Sequence, residues 1–146
     1  MAGGTRLANT AWEALMAAHA TLMKEFAAER TWQELSMREY DVAYTLSKCP
    51  APISVTELHR HVLLSQPALS RLVDRLAEQG LVERAPDPSD GRVVLVSLTA
   101  LGRDTQRTIG RQHARSVARA VTSRLSPAEL GQLETLCRKL ARRNPE

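Results

Sequence analysis

Four polar side chains, Gln66, Ser70, Arg71 and Arg75, fall on one side of a run whose other side is Leu69, Leu72, Val73 and Leu76. At 3.6 residues per turn this spacing predicts a helix with one apolar face and one polar face. Glutamine, serine and arginine near a helix N-terminus carry donors and acceptors that suit base edges and phosphates in the major groove of duplex DNA. Asp74 shares that face. A carboxylate is a poor neighbour for phosphate, so Asp74 reads as a brace for a nearby arginine. A polar helix face can also be plain solvated surface, so the surrounding elements decide how much weight it bears.

Other chemistries have little to build on. The chain contains no G-x-S-x-G, Walker loop, HExxH or dinucleotide-binding glycine pattern, and nothing pairs a nucleophile with an obvious base, so no enzyme is expected. His19, His59, His61 and His113 are scattered, and neither a metal nor another cofactor is expected. Cys49 and Cys137 show no CxxC or His/Cys spacing. Both are expected to be buried structural thiols in a reducing, cytoplasmic setting. No apolar run approaches the roughly 18 residues a membrane helix needs, and residues 1–10 lack a secretory pattern.

The elements that must hold the polar face follow from caps and turn residues. A first helix is predicted over about 6–29, with Trp12, Leu15, Met16, His19, Leu22, Met23 and Phe26 as an apolar stripe that reads first as core. Residues 30–35 read as a short connection. Ser36 with Glu39, and Ser54 with Glu57, form capping-box patterns that start a second and a third helix. Pro50 and Pro52 stop the second, and the third ends near His61 or Val62. Ser65 caps the fourth helix, Pro67 sits harmlessly in its first turn, and Gly80 closes it. Strand patterns then span 81–84 and 92–98, joined by turn residues Pro88, Ser89, Asp90 and Gly91. Thr99 caps a long helix over about 100–123. Ser126, Pro127 and Glu129 combine into the strongest cap of the chain, and the last helix places Leu130, Leu133, Leu136 or Cys137, and Leu140 near a/d spacing, which calls for a partner helix.

Two short helices followed by a β-hairpin make a winged helix-turn-helix, a mainly α fold with a small β-hairpin wing (α+β). Its second helix fits the major groove and its hairpin reaches the groove alongside. The runs LSQPALSRLVDRL at 64–76, GLVER at 80–84, DPSDGR at 87–92 and LTALG at 98–102 resemble the MarR family of bacterial transcription regulators, in an order and spacing that extend over nearly the whole chain. The resemblance implies a DNA-binding set of Ser65, Gln66, Pro67, Ser70, Arg71 and Arg75 in the major groove, with Arg92 entering the minor groove from the wing tip and Asp90 orienting it. It also implies a homodimer with double-stranded DNA as its partner: residues 1–35 as an N-terminal dimerisation helix, 36–99 as the DNA-binding lobe and 100–146 as C-terminal dimerisation helices, reading a pseudo-palindromic operator, most often as a repressor. Members of the family commonly release DNA when a small, often aromatic, molecule binds between the dimerisation helices and the lobe. Trp12, Met16, His19, Met23, Tyr40 and Tyr44 are the candidates for such a pocket.

Charge alone does not single out the lobe. Residues 1–52 and 53–99 each hold five basic and six acidic side chains, whereas residues 100–146 hold ten and four. Much of that excess is Arg103, Arg107, Arg111, Arg115 and Arg119, one every four residues. The first two would add phosphate contacts, and the rest read as solvated surface. The rival to a DNA-binding reading is a winged helix used only for protein docking, since fold does not fix function.

Overall fold

In a computed structural model describing residues 2–142, the chain forms α1 (Ala2–Ala27), α2 (Met37–Ser47), β1 (Ile53–Ser54), α3 (Val55–His59), α4 (Gln66–Glu78), β2 (Val82–Pro86), β3 (Val94–Leu98), α5 (Ala100–Thr122) and α6 (Pro127–Leu140). Contacts within the chain divide it into two units. One is residues 27–112. The other is the described residues up to 26 with those from 113 onward.

The 27–112 unit has its core in α2, α3, α4 and the sheet. Val42, Leu46, Leu58, Leu69, Leu72, Val73, Leu76, Val96 and Ile109 are all buried there. The helix starts are as the sequence predicts, because Ser36, Ser54 and Ser65 each accept a hydrogen bond from the amide three residues on. The capping boxes at α2 and α3 are not closed, however. Glu57 turns outward to Arg60, at 2.8 Å, and to His61, while Glu39 faces α4. Among the described residues only α6 has the full reciprocal box, with Ser126 N donating to Glu129 Oε2 at 2.8 Å. The third helix is shorter than predicted, and residues 30–35 are not a plain connection. A 3₁₀ turn at Arg30–Trp32 buries Trp32, and Leu35 follows it into the core.

The end of α4 shows why Gly80 stands where it does. Its φ of +73° lies in the left-handed region, its amide reaches Ala77 O at 3.0 Å, and the Leu81 amide reaches Leu76 O at 2.9 Å. That is a Schellman closure with buried Leu76 and Leu81 as its apolar pair. The chain then enters a three-stranded antiparallel sheet in the order β1-β3-β2. The hairpin pairs Val82 with Leu98 through to Pro86 with Val94, and the two-residue β1, which the sequence did not suggest, pairs Ile53 with Val96 and Ser54 with Leu95. Gly102 lets α5 start against this sheet: a Cβ there would stand 1.9 Å from the Leu81 carbonyl oxygen.

The second unit is more open. Phe26 is buried edge-on against the His113 ring, with centroids 5.1 Å apart, and Arg124 bonds Glu25 at 2.5 Å. α6 buries none of its residues, and Leu133, Leu136 and Leu140 are exposed. Two expectations change here. The α1 stripe is not core at Trp12, Met16 or His19, which stand exposed, Trp12 at 60%. Cys137 is exposed and Cys49 only half-buried, so neither is the buried thiol the sequence suggested. For α1 and for Cys137 on α6 the physical reason is that a single chain leaves these helix faces uncovered.

Candidate nucleic-acid interface

α4 separates its two faces cleanly. Leu69, Leu72, Val73 and Leu76 are buried, while Gln66, Pro67, Ser70, Arg71, Asp74 and Arg75 are exposed. Ser65 Oγ is occupied in part by the Ala68 amide at 3.3 Å, which makes Ser65 a cap first. Pro67 contributes no amide hydrogen. The polar face therefore offers an amide, a hydroxyl and two guanidiniums along two and a half turns, beside the positive end of the helix dipole. Such a row can hydrogen-bond base edges and neutralise phosphates.

The wing presents a second cationic point. Asp87 Oδ1 accepts from the Ser89 amide at 2.8 Å, the Asp87 amide donates to Val93 O at 2.8 Å, and the Val93 amide donates to Asp90 O at 2.9 Å, which sets the turn. Asp90 Oδ1 then accepts from both the backbone amide and Nε of Arg92, each at 3.1 Å. These bonds from Arg92 hold the Asp90 carboxyl below the usual carboxylate range. Nη2 of the same guanidinium donates to Asp90 Oδ2 at 3.4 Å, so Asp90 orients one edge of Arg92 while the side chain stays 92% exposed and its other edge faces outward. Gln66, Ser70, Arg71, Arg75, Asp90 and Arg92 thus all fall within the 27–112 unit, on α4 and on the wing tip.

Two members of this surface were not singled out from sequence. Arg84 of β2 takes the ion pair that Asp74 was expected to make with a nearby arginine, and the two line a cleft of about 450 Å³ with Ser70, Val73 and Val94. Glu39, the buried third residue of α2, lies 3.7 Å from Arg75 Nε. An alternating strand carries no mark that would say which helix its outer arginine meets, so Arg84 is visible only in the fold. Arg103, Arg107, Arg111 and Arg115 are exposed and make no ion pair among the described residues.

The pocket candidates divide between the units. Trp12, Met16, His19 and Met23 lie on α1, with Met23 half-buried. Tyr40 and Tyr44 lie on α2, their rings 6.1 Å apart, with Trp32 5.3 Å from Tyr40. Tyr40 is buried, which pushes its phenol above the ordinary tyrosine range against the opposing hydrogen bond from Gln106. Tyr44 is exposed, with the Lys48 ammonium 5.0 Å from its ring centre.

Comparison with known proteins points one way. The MarR family model matches residues 34–93, from before α2 to the wing tip. Over 93 residues, 64% of this chain and 65% of the relative, the sequence is 34% identical to the multiple antibiotic resistance protein MarR of Escherichia coli, so the match spans just under two thirds of that relative's length. A crystal structure of a cysteine-to-serine mutant of E. coli MarR complexed with operator DNA superimposes with a TM-score of 0.72 at 27% identity, covering 88% of this chain and 94% of that one. A MarR family transcriptional regulator of Streptomyces coelicolor, in complex with DNA, gives 0.77 at 27% identity, covering 91% and 84%. Over residues 34–93 the chain thus matches the MarR family model, and its fold, with helix pair, wing and long α5 in that order, is similar to that of MarR family transcriptional regulators.

Proposed function

We propose that the chain is a homodimeric, sequence-specific DNA-binding regulator, acting as a repressor that a small, often aromatic, ligand releases from a pseudo-palindromic operator. One observation carries the DNA reading: α4 buries its apolar face completely and leaves Gln66, Ser70, Arg71 and Arg75 exposed in the same unit as Arg92, one edge of which Asp90 orients. The two similar structures solved with DNA support it. Ser65, Gln66, Pro67, Ser70, Arg71 and Arg75 form the major-groove set, and Arg92 the wing contact. Homodimerisation through residues 1–35 and 100–146 is supported by faces that one chain leaves bare: Trp12 on α1, and Leu133, Leu136 and Leu140 on α6. The effector pocket is assigned to Trp12, Met16, His19, Met23, Tyr40 and Tyr44, and the compartment to the cytoplasm.

Titration of binding against salt on random duplex DNA tests the core of this. Releasing phosphate-bound counterions makes log K fall linearly with log salt, and a flat response would favour the protein-docking alternative. Arg71→Ala is expected to cost about 1–3 kcal/mol and relax preference at one base pair, and Arg92→Ala to weaken binding with the dimer intact by sedimentation. Unchanged operator affinity in both variants removes these residues from the interface. A screen for compounds that release selected operators then tests the effector.

A further inference from the structure

Glu39 is one of only two polar or charged residues buried among the described residues, 8% exposed. Its place in the sequence, three residues after Ser36, predicts that its carboxylate closes a capping box. At α6 the same pattern does close. At α2 only half of it forms: the Glu39 amide donates to Ser36 Oγ at 3.1 Å, and the carboxylate turns away. Oε1 instead lies 3.7 Å from Arg75 Nε, while Oε2 is buried with no hydrogen bond among the described residues. A buried carboxylate left short of donors is costly unless an opposite charge compensates it. Arg75 is the cation within ion-pair distance, and it belongs to the exposed face of α4.

We propose that Glu39 is a positioning residue for Arg75: from the buried side it holds the Nε edge of the guanidinium, leaving the terminal amino groups set to receive a DNA phosphate. This rests on the DNA reading above and deepens it. The separation of 3.7 Å exceeds a hydrogen bond, and the Arg75 side chain remains 53% exposed. The carboxylate therefore biases the arginine's orientation without consuming its donors. Arg71, one helical turn earlier on the same face, makes no ion pair among the described residues and is free to follow a base edge. The two arginines thus divide the work: Arg75 is a fixed backbone contact that sets register, and Arg71 is the adaptable reader. Phosphate contacts fix orientation and carry no sequence information, so Glu39 acts on affinity for all duplexes alike.

The test compares Glu39→Gln, Arg75→Ala, their combination and Arg75→Lys, each titrated with operator and random duplex over a salt series and each melted. Glu39→Gln keeps the backbone amide that donates to the Ser36 cap of α2. It is expected to weaken binding to both duplexes by about 3–10-fold and to lower the salt slope toward that of Arg75→Ala, by about one unit for each phosphate no longer neutralised. In the Arg75→Ala background it should change nothing further. Arg75→Lys keeps the charge without the Nε edge, folds regardless of what Glu39 contributes, and should bind as weakly as Glu39→Gln. Wild-type or tighter binding by Glu39→Gln overturns the proposal, as does wild-type binding by Arg75→Lys, or an equal loss on adding Glu39→Gln to Arg75→Ala. If Arg92→Ala weakens binding while Arg75→Ala does not, the positioning role fails and the DNA reading stands. If the parent protein binds no duplex, both fail together.

Discussion

Replacing Gly102 with alanine sets two effects against each other. Gly102 lies in the first turn of α5, and alanine is a better helix former by up to about 1 kcal/mol. Propensity alone therefore says the variant should be more stable. The surroundings say otherwise. The added Cβ would lie 1.9 Å from the Leu81 carbonyl oxygen, 2.9 Å from its carbon and 3.2 Å from Leu98 Cδ2. The first two atoms are backbone of the chain entering β2, so relief needs a main-chain shift of more than an ångström, not a rotamer change. Overpacking of this kind costs about 1–3 kcal/mol. The same carbonyl accepts from the Thr99 amide at 3.1 Å, and losing that bond adds about 1 kcal/mol. The net is a destabilisation of about 1–3 kcal/mol, a fall in Tm of about 2–12 °C for a chain of this size. Thermal melts followed by far-ultraviolet circular dichroism read it directly. A melting point equal to or above the parent's would refute the reasoning, since it would mean the start of α5 drifts off Leu81 without loss.

Gly110→Ala meets a softer obstacle, the Tyr40 hydroxyl 3.0 Å away at the end of a side chain, and should stay within about 1 kcal/mol of the parent in the same melts. The Tyr40 phenol is raised above its ordinary value of 10.0 by burial. The unfolded chain therefore ionises it first, and the stability it contributes is complete below pH 10 and lost as pH rises through the raised folded value. Urea titrations at pH 8 and pH 11 should show this loss, and Tyr40→Phe should remove that alkaline component. Ser126→Ala opens the closed capping box of α6 and should cost about 0.5–2 kcal/mol with a measurable drop in helicity. Asp74→Ala frees Arg84, but the pair is about half exposed, so its effect on stability should stay below about 1 kcal/mol.

What the sequence disclosed was mostly what is decided locally. The face of α4, the serine caps, the turn at Asp87 to Arg92 and the glycine that ends α4 all depend on residues within a few positions of each other, and each stands in the fold as read. β1 was missed because two residues carry no periodicity; Ile53 and Ser54 become a strand only through Val96 and Leu95, more than forty positions on. Trp32 looked like part of a connector because its burial depends on Tyr40 and the core beyond it. Glu39 and Glu57 sit in identical cap patterns, yet their carboxylates go to different partners, and only packing decides which. The bare faces of α1 and α6 show the opposite limit: an apolar stripe announces that something must cover it, without saying that the cover lies in the same chain.

Ser54 is both the strand partner of Leu95 and the cap of α3. One residue thus welds the helix pair to the central strand of the wing sheet, and the distance between groove reader and wing tip becomes a ruler whose zero mark is that serine. Extra residues inserted at the tip, near Ser89, would lengthen the arm and leave the ruler untouched. A single residue inserted inside α3, between Ser54 and Leu58, would swing Leu58 off its buried site by about a quarter of a turn, and the reader and the arm would lose their common reference.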